Sequence, residues 1–245
     1  MKAATLRMLA GVTAPLILTG SVQAGFTGIT TTSKPNPYGL LVVNVYANFD
    51  SPGEDHMILI VGTPNSPLLI EVIGGTFYNS AFGSDRAPQA GLVTLFPSLA
   101  FDSFVTIGIK TLGEGGQPGP DENFIFPGFP GVSGTEISSV ESGWGLRPFP
   151  PLSPQGDPFN PLYFPGDGRV LIGQFSTADG SGIQGTMLVR YAINGISHVT
   201  FESFSHVPAP GALWLLGAMG LLGSRRRPVS AVTAGPAIGR ADDLD

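Results

Sequence analysis

Apolar and polar residues alternate along much of this chain, and this alternation limits its fold more than any other feature. Between Leu40 and Phe49 every odd-numbered position is apolar, whereas Asn44 and Asn48 fall at even positions. Successive side chains of a strand point to opposite faces, so this segment predicts a half-buried strand with one polar face. Further runs predict strands at 57–61, 68–73, 101–109, 137–140, 169–176, 186–193 and 198–204.

Glycine and proline oppose long helices throughout the chain. The sequence contains 35 glycines and 23 prolines, which cost a helix interior about 1 and about 3 kcal/mol relative to alanine. Only 87–99 has room for a helical turn, between Pro88 and Pro97. The composition therefore predicts an all-β fold, an antiparallel β-sandwich or jelly-roll-like domain with long Gly/Pro-rich loops.

Two turn signals organise the last three predicted strands. Residues 179–182 predict a hairpin, and Asn194-Gly195 has the residues of a two-residue turn with positive φ. We therefore expect the strands within 169–204 to form an antiparallel meander. Residues 180–185 also match G-x-G-x-x-G, but a strand pattern follows them where a dinucleotide site needs a helix, so the hairpin interpretation is favoured.

Residues 113–168 are rich in glycine, proline and aromatic residues. We expect long ordered loops whose rings dock on a sheet, with a flexible linker between two small domains as the alternative. The aromatic residues Trp144, Phe149 and Tyr163 are candidates for a platform that binds a sugar ring or another protein. In the alternative interpretation these rings cover the sheet and add apolar area to its core.

The predicted folded body, residues 25–207, is acidic. It contains 6 basic and 15 acidic residues, a net charge of −9, so it repels phosphate backbones and nucleic acid is not an expected partner. The chain has no cysteine, which excludes disulfides, thiolate metal sites and a cysteine nucleophile.

Three acidic residues in one turn are candidate calcium ligands: Asp50, Glu54 and Asp55. Calcium prefers six to eight oxygen ligands, but an EF-hand loop counted from Asn48 has Pro52 and Leu59 at ligand positions. A solvated acidic turn is therefore the competing interpretation. The three histidines lack metal-site spacing, and G-x-S-x-G is absent. No catalytic residue and no cofactor is predicted, with Ca²⁺ bound at this turn as the open alternative.

The N-terminus has the pattern of a secretory signal peptide over residues 1–24. Lys2 and Arg7 precede an apolar stretch that ends at Leu18, and the small residues around Ala24 predict cleavage between Ala24 and Gly25. An N-terminal membrane anchor is the less favoured interpretation, because the apolar stretch is shorter than the about 20 residues that a membrane span needs.

A short apolar segment near the C-terminus ends at three arginines. Residues 208–224 carry no charge, and Arg225, Arg226 and Arg227 follow. An arginine cluster holds a translocating chain with that side in the cytoplasm, so we expect a single membrane helix that engages the membrane transiently. A last helix packed on the domain is the alternative.

The order of these features resembles the PEP-CTERM sorting signal: Val207-Pro208-Ala209-Pro210, a Gly/Leu-rich apolar segment and Arg225–Arg227. Ala209 stands where that family usually has glutamate, and residues 228–245 continue past the arginines as a predicted disordered tail. The resemblance implies a sorting signal at 208–227, an exosortase-type enzyme as partner, and release at the outer bacterial surface or into an exopolysaccharide matrix.

These features together predict a non-catalytic secreted surface or extracellular-matrix protein. Two alternatives stay open, a carbohydrate- or calcium-dependent binding module and an extracellular hydrolase, since 15 acids leave room for a carboxylate pair that spacing alone does not reveal.

Overall fold

Two antiparallel β-sheets form the framework of the computed structural model, which describes residues 25–50, 55–113, 123–146 and 156–207. The predicted signal peptide, Glu54, Phe149 and the sorting signal after Val207 lie outside the described residues. The compact unit that holds the described residues ends at Val207. No helix in the described ranges is long and apolar enough to cross a membrane.

The strands are numbered in chain order: β1 (Phe26–Pro35), β2 (Leu40–Phe49), β3 (His56–Val61), β4 (Leu68–Ile73), β5 (Phe104–Val105), β6 (Asn123–Ile125), β7 (Glu136–Ser139), β8 (Gly143–Leu146), β9 (Arg169–Ala178), β10 (Gly182–Ile193) and β11 (Ile196–His206). One short helix, α1 (Ala90–Leu95), and a 3₁₀ helix (Pro97–Phe101) lie between β4 and β5. The predicted helical turn in 87–99 is therefore confirmed, as is the all-β class.

The smaller sheet has the order β1-β2-β9-β5. The seven-stranded sheet is built around β10, which pairs with β11 on one side along its length. On its other side β10 pairs with β4 through residues 182–186 and with β3 through residues 188–192. Strands β8 and β6 continue outward from β3, and β7 continues from β4.

One hydrophobic core takes side chains from both sheets. Val43 and Val45 of β2 enter it from the four-stranded sheet, and Ile60 of β3 and Met187 of β10 enter it from the other. All four are fully buried. At about 25 cal/mol per Å² of apolar area removed from water, such burial is the main stabilising contribution in a domain without disulfides.

Trp144 links the two sheets by hydrogen bonds. Strand β9 carries one extra residue, Ile172, opposite the step from Val45 to Tyr46, and such a bulge disturbs the ladder locally. The indole Nε1 of Trp144 on β8 donates to the carbonyl oxygens of Ile172 and Thr106, both at 3.0 Å. The buried indole N–H is therefore satisfied on the opposite sheet.

The second face of the four-stranded sheet is covered by loops and is not an open polar face. A small second core of Ala87, Phe104, Ile109 and Tyr163 lies there. Because these loops pack on β2, the even-numbered Val42 and Tyr46 are buried as well. We call this covered side of the sheet its outer face.

The predicted meander is wrong at its first connection. Strands β9 and β10 follow one another around residues 179–181 but belong to different sheets, because β9 is paired with β2 and β5 on its two sides. The β10–β11 hairpin is confirmed, with Asn194 and Gly195 at φ of 50° and 76°.

The predicted strand at 101–109 is reduced to Phe104–Val105. Pro97 starts a 3₁₀ helix that reaches Phe101, and Gly108 at φ 70° turns the chain out of the ladder. The described part of 113–168 includes three strands of the seven-stranded sheet, β6, β7 and β8, so residues 123–146 are not a linker.

Candidate functional site

A pocket lined by amide side chains opens on the outer face of the four-stranded sheet. Its cavity measures about 340 Å³, within the range typical of small-molecule sites. We call it the amide pocket and define it by its polar and aromatic lining residues, Lys34, Asn36, Asn44, Phe101, Lys110 and Gln174.

Strand register brings the floor of the amide pocket together. Asn44 of β2 lies directly opposite Gln174 of β9, and Lys34 of β1 lies opposite Val42 of β2. Directly paired residues project to the same face of a sheet. The odd-numbered neighbours on β2 enter the core, so these side chains occupy the outer face.

Gln174 is held in one orientation by two hydrogen bonds. Its Nε2 donates to the carbonyl oxygens of Ala100 at 3.1 Å and Asp102 at 2.9 Å. These two acceptors fix which end of the amide is nitrogen. The side chain is 1% exposed, and its Oε1 accepts no hydrogen bond from a described residue.

Asn36 is oriented in the same way from the β1–β2 turn. Its Oδ1 accepts the backbone N–H groups of Tyr38 at 2.9 Å and Leu40 at 3.0 Å. Its Nδ2 and the Oδ1 of Asn44 are buried without partners in the described ranges. Two acceptors and one donor on the lining side chains of the amide pocket thus lack partners among the described residues, whereas buried polar groups are normally hydrogen-bonded.

A buried carboxylate supports the wall of the pocket. Asp102 is fully buried and accepts the backbone N–H groups of Ser80 at 2.7 Å and Ser84 at 3.1 Å. Burial raises the pKa of Asp102, while these bonds oppose that rise. Its backbone N–H bonds Leu99, so Asp102 fixes the end of the 3₁₀ helix that carries Phe101.

Positive charge is concentrated at the pocket. Lys34 and Lys110 are the only lysines in residues 25–207, and both line it. No carboxylate of a described residue lines it. The Lys110 ammonium also lies 5.2 Å from the ring centroid of Phe164, a cation–π distance.

Aromatic rings form one wall of the amide pocket. Phe101 is half-buried in the wall, and Tyr38 packs beside it with ring centroids 5.6 Å apart. Tyr38 is 66% exposed. These rings, and not the predicted ones, offer apolar surface next to polar groups.

The predicted platform of Trp144 and Tyr163 is wrong for both residues. Trp144 is 2% exposed and Tyr163 is 5% exposed. Trp144 is buried because its indole bonds the opposite sheet, and Tyr163 because it belongs to the second core. Neither ring is an open platform, although Tyr163 contributes to the lining of a cleft beside Lys110 and Phe164, and Phe149 lies outside the described residues.

Two of the three predicted calcium ligands accept hydrogen bonds from the protein. Asp50 Oδ1 accepts the backbone N–H of Gly25 at 2.6 Å. Asp55 is 3% exposed, and this burial raises the pKa of its carboxyl. A hydrogen bond from the Asn194 backbone lowers that pKa, and the negative charge of Asp50 raises it further. The described residues hold no group of three potential metal ligands, and the third predicted ligand, Glu54, lies outside them.

Sequence patterns did not identify the amide pocket. Its residues come from a turn, three strands, the 3₁₀ helix and a loop, and only the tertiary fold brings them together. Two signals were available: Asn44 and Gln174 each stand within a largely apolar stretch of their strand, and the body has only two lysines. Where such a polar residue is buried, it belongs either to a hydrogen-bond network or to a site.

Comparison of the chain with protein-family models, curated proteins and solved structures gives no match.

Proposed function

We propose that this chain is a non-catalytic protein exported to the cell envelope, held transiently in a membrane by residues 208–224, and sorted to the outer surface or the extracellular matrix. The observation that carries the proposal is the order of features at the C-terminal end. A compact body ends at Val207, and a proline-flanked apolar segment and three arginines follow at once. An arginine cluster after an apolar segment orients a translocating chain.

An exosortase-type enzyme that cuts near Pro208–Pro210 is the proposed partner. Mass spectrometry of the protein from its native host tests this step. A C-terminus near Pro210 is the expected result, and a chain that retains Asp245 overturns the proposal. Replacing Arg225, Arg226 and Arg227 by alanine is expected to abolish processing, whereas Arg240→Ala, the matched control in the tail, leaves it intact.

Removal of a signal peptide at Gly25 is the other half of the proposed route. The Gly25 backbone nitrogen lies 2.6 Å from Asp50 Oδ1, so cleavage before Gly25 would place a new ammonium against that carboxylate. Charge-assisted hydrogen bonds are about twice as strong as neutral ones. Asp50→Asn is therefore expected to destabilise the processed chain more than the unprocessed one, and equal losses contradict this step.

We also propose that the two sheets form a β-sandwich. Support comes from the shared core and from the bonds of Trp144 to the opposite sheet. The hydrolase alternative gains no support from the described clefts. Of four described clefts, three, including the amide pocket, have no carboxylate in their lining, and the fourth has only that of Glu71. Glycoside hydrolysis generally needs a facing pair of carboxylates.

A further inference from the structure

We propose that the amide pocket binds an acidic saccharide, a sugar that carries a carboxylate, as a monosaccharide or as one residue of a polymer. This goes beyond the proposed function, which concerns delivery and not a ligand. It does not depend on export, since binding is measured on the isolated protein.

The unpartnered amide oxygens require a ligand that donates hydrogen bonds. Gln174 Oε1 and Asn44 Oδ1 are buried acceptors without partners among the described residues. Sugar hydroxyl groups donate to such oxygens, whereas sulfate and fully ionised phosphate only accept. A simple inorganic anion would therefore leave both oxygens unsatisfied.

The remaining polar groups require acceptors, and one of them carries a charge that no described acid balances. Asn36 Nδ2 is an unpartnered donor, and the Lys34 ammonium lines the pocket without an ion pair to a described residue. A carboxylate on the ligand balances the Lys34 charge in a pocket that no described acid lines. Hydrogen bonds to charged groups contribute about 1.5–3 kcal/mol each, so the acid should bind at least about tenfold more tightly than its neutral form.

The shape of the pocket suits a sugar ring. Phe101 places aromatic surface in the wall, and Pro35 and Pro37 add rigid apolar surface. Apolar walls with a few fixed polar groups are typical of small-ligand sites. Lys110 also lines a second cleft with Thr111 and Phe164, which gives a polymer a place to continue beyond the first residue.

Calorimetry on the full chain, kept in mild detergent, tests the inference. The probes are galacturonate, its neutral methyl ester, oligogalacturonate and inorganic sulfate. We expect saturable binding of galacturonate or its oligomer, at least about tenfold weaker binding of the ester, and no competition by sulfate. Binding of the oligomer alone supports the saccharide assignment with a polymer as its source.

Variants locate the binding. Lys34→Met is expected to weaken binding of the acid about tenfold and to leave the weak ester binding unchanged. Arg86→Met, which removes one exposed positive charge away from the pocket, is the matched control and should have no effect. Asn44→Leu should weaken binding of the acid and binding of the ester to the same extent.

Several results overturn the inference. These are an acid and an ester that bind equally, displacement of the acid by sulfate, equal effects of Lys34→Met and Arg86→Met, or no saturation by any of the sugar probes. Thermal unfolding of each variant shows whether it is folded. The proposed export is tested by a different measurement, the mass of the processed chain, so failure of one proposal is distinguishable from failure of the other.

Discussion

The two faces of the four-stranded sheet are both covered, but they bury different kinds of side chains. On the inner face Val43, Val45 and Phe175 pack in an apolar core. On the outer face Asn44 and Gln174 alternate with them and keep unpartnered amide oxygens. Burying a polar group without a hydrogen bond is unfavourable. The inner face therefore contributes apolar burial, whereas the outer face combines buried Val42 and Tyr46 with unpartnered amide groups that reduce stability.

The largest change in stability is expected for substitutions of Trp144, which is buried in the core between the two sheets. Trp144→Ala is expected to lower the free energy of unfolding by about 3–5 kcal/mol, because it removes a buried ring and leaves a cavity. Trp144→Phe keeps most of the apolar area but loses both bonds to the opposite sheet, and should cost about 1–3 kcal/mol. Urea unfolding measures both, and a wild-type value for Trp144→Phe would show that the indole bonds contribute nothing.

A gain in stability, and not a loss, is expected for a substitution on the outer face. Asn44→Leu removes a buried unpartnered oxygen and should raise the free energy of unfolding by about 1 kcal/mol while weakening ligand binding. Val45→Asn is the matched control, since it places the same amide one residue along on the inner face and should destabilise the protein. A loss of stability in Asn44→Leu would contradict the assignment of this face to binding.

The buried acids predict a smaller, pH-dependent effect. Burial raises the pKa of Asp55 and of Asp102, so the folded chain binds these protons more tightly than the unfolded chain. Their contribution to stability is complete below the ordinary aspartate pKa of about 3.9 and is lost as the pH rises through the folded-state pKa. Asp55→Asn should flatten this decline in urea unfolding measured across the acidic range, and an unchanged slope would contradict it.

The smallest effect is expected from the one ion pair between described residues. Arg169 bonds Asp167 at 2.7 Å and lowers the pKa of that carboxyl. The pair therefore contributes above the unfolded pKa and is lost as the pH falls, opposite in sign to Asp55. Both side chains are substantially exposed, so Asp167→Asn should cost less than about 1 kcal/mol. A larger loss, or one that high salt does not reduce, would contradict a surface ion pair.

Local patterns predicted single elements well. The alternation at Leu40–Phe49 predicted β2 with its exact bounds, and Asn194-Gly195 predicted the turn between β10 and β11. These succeed because side-chain period and turn φ angles are set by neighbouring residues. Strand β1, with the sequence FTGITTTSKP, has no such alternation and was not predicted.

Pairing between distant strands was not predictable in the same way. The turn at residues 179–181 is real, but the partner of β9 is β2, which lies more than a hundred residues earlier. The amide pocket depends on the same long-range pairing, since Asn36, Asn44 and Gln174 share no local pattern. For Trp144 the sequence left two interpretations open, a binding platform and a ring that covers the sheet, because sequence does not show which rings find a buried acceptor; the structure agrees with the second.

The location of Lys34 and Lys110 has a practical consequence for handling the protein. Lys34 and Lys110 are the only lysines within residues 25–207, and both line one cavity. Apart from the α-amino group, reagents that acylate amines, such as fluorescent succinimidyl esters or the chemistry that fixes proteins to sensor chips, would therefore modify this body at the cavity. Protection of these amines by a bound sugar acid would make such labelling a direct measure of occupancy.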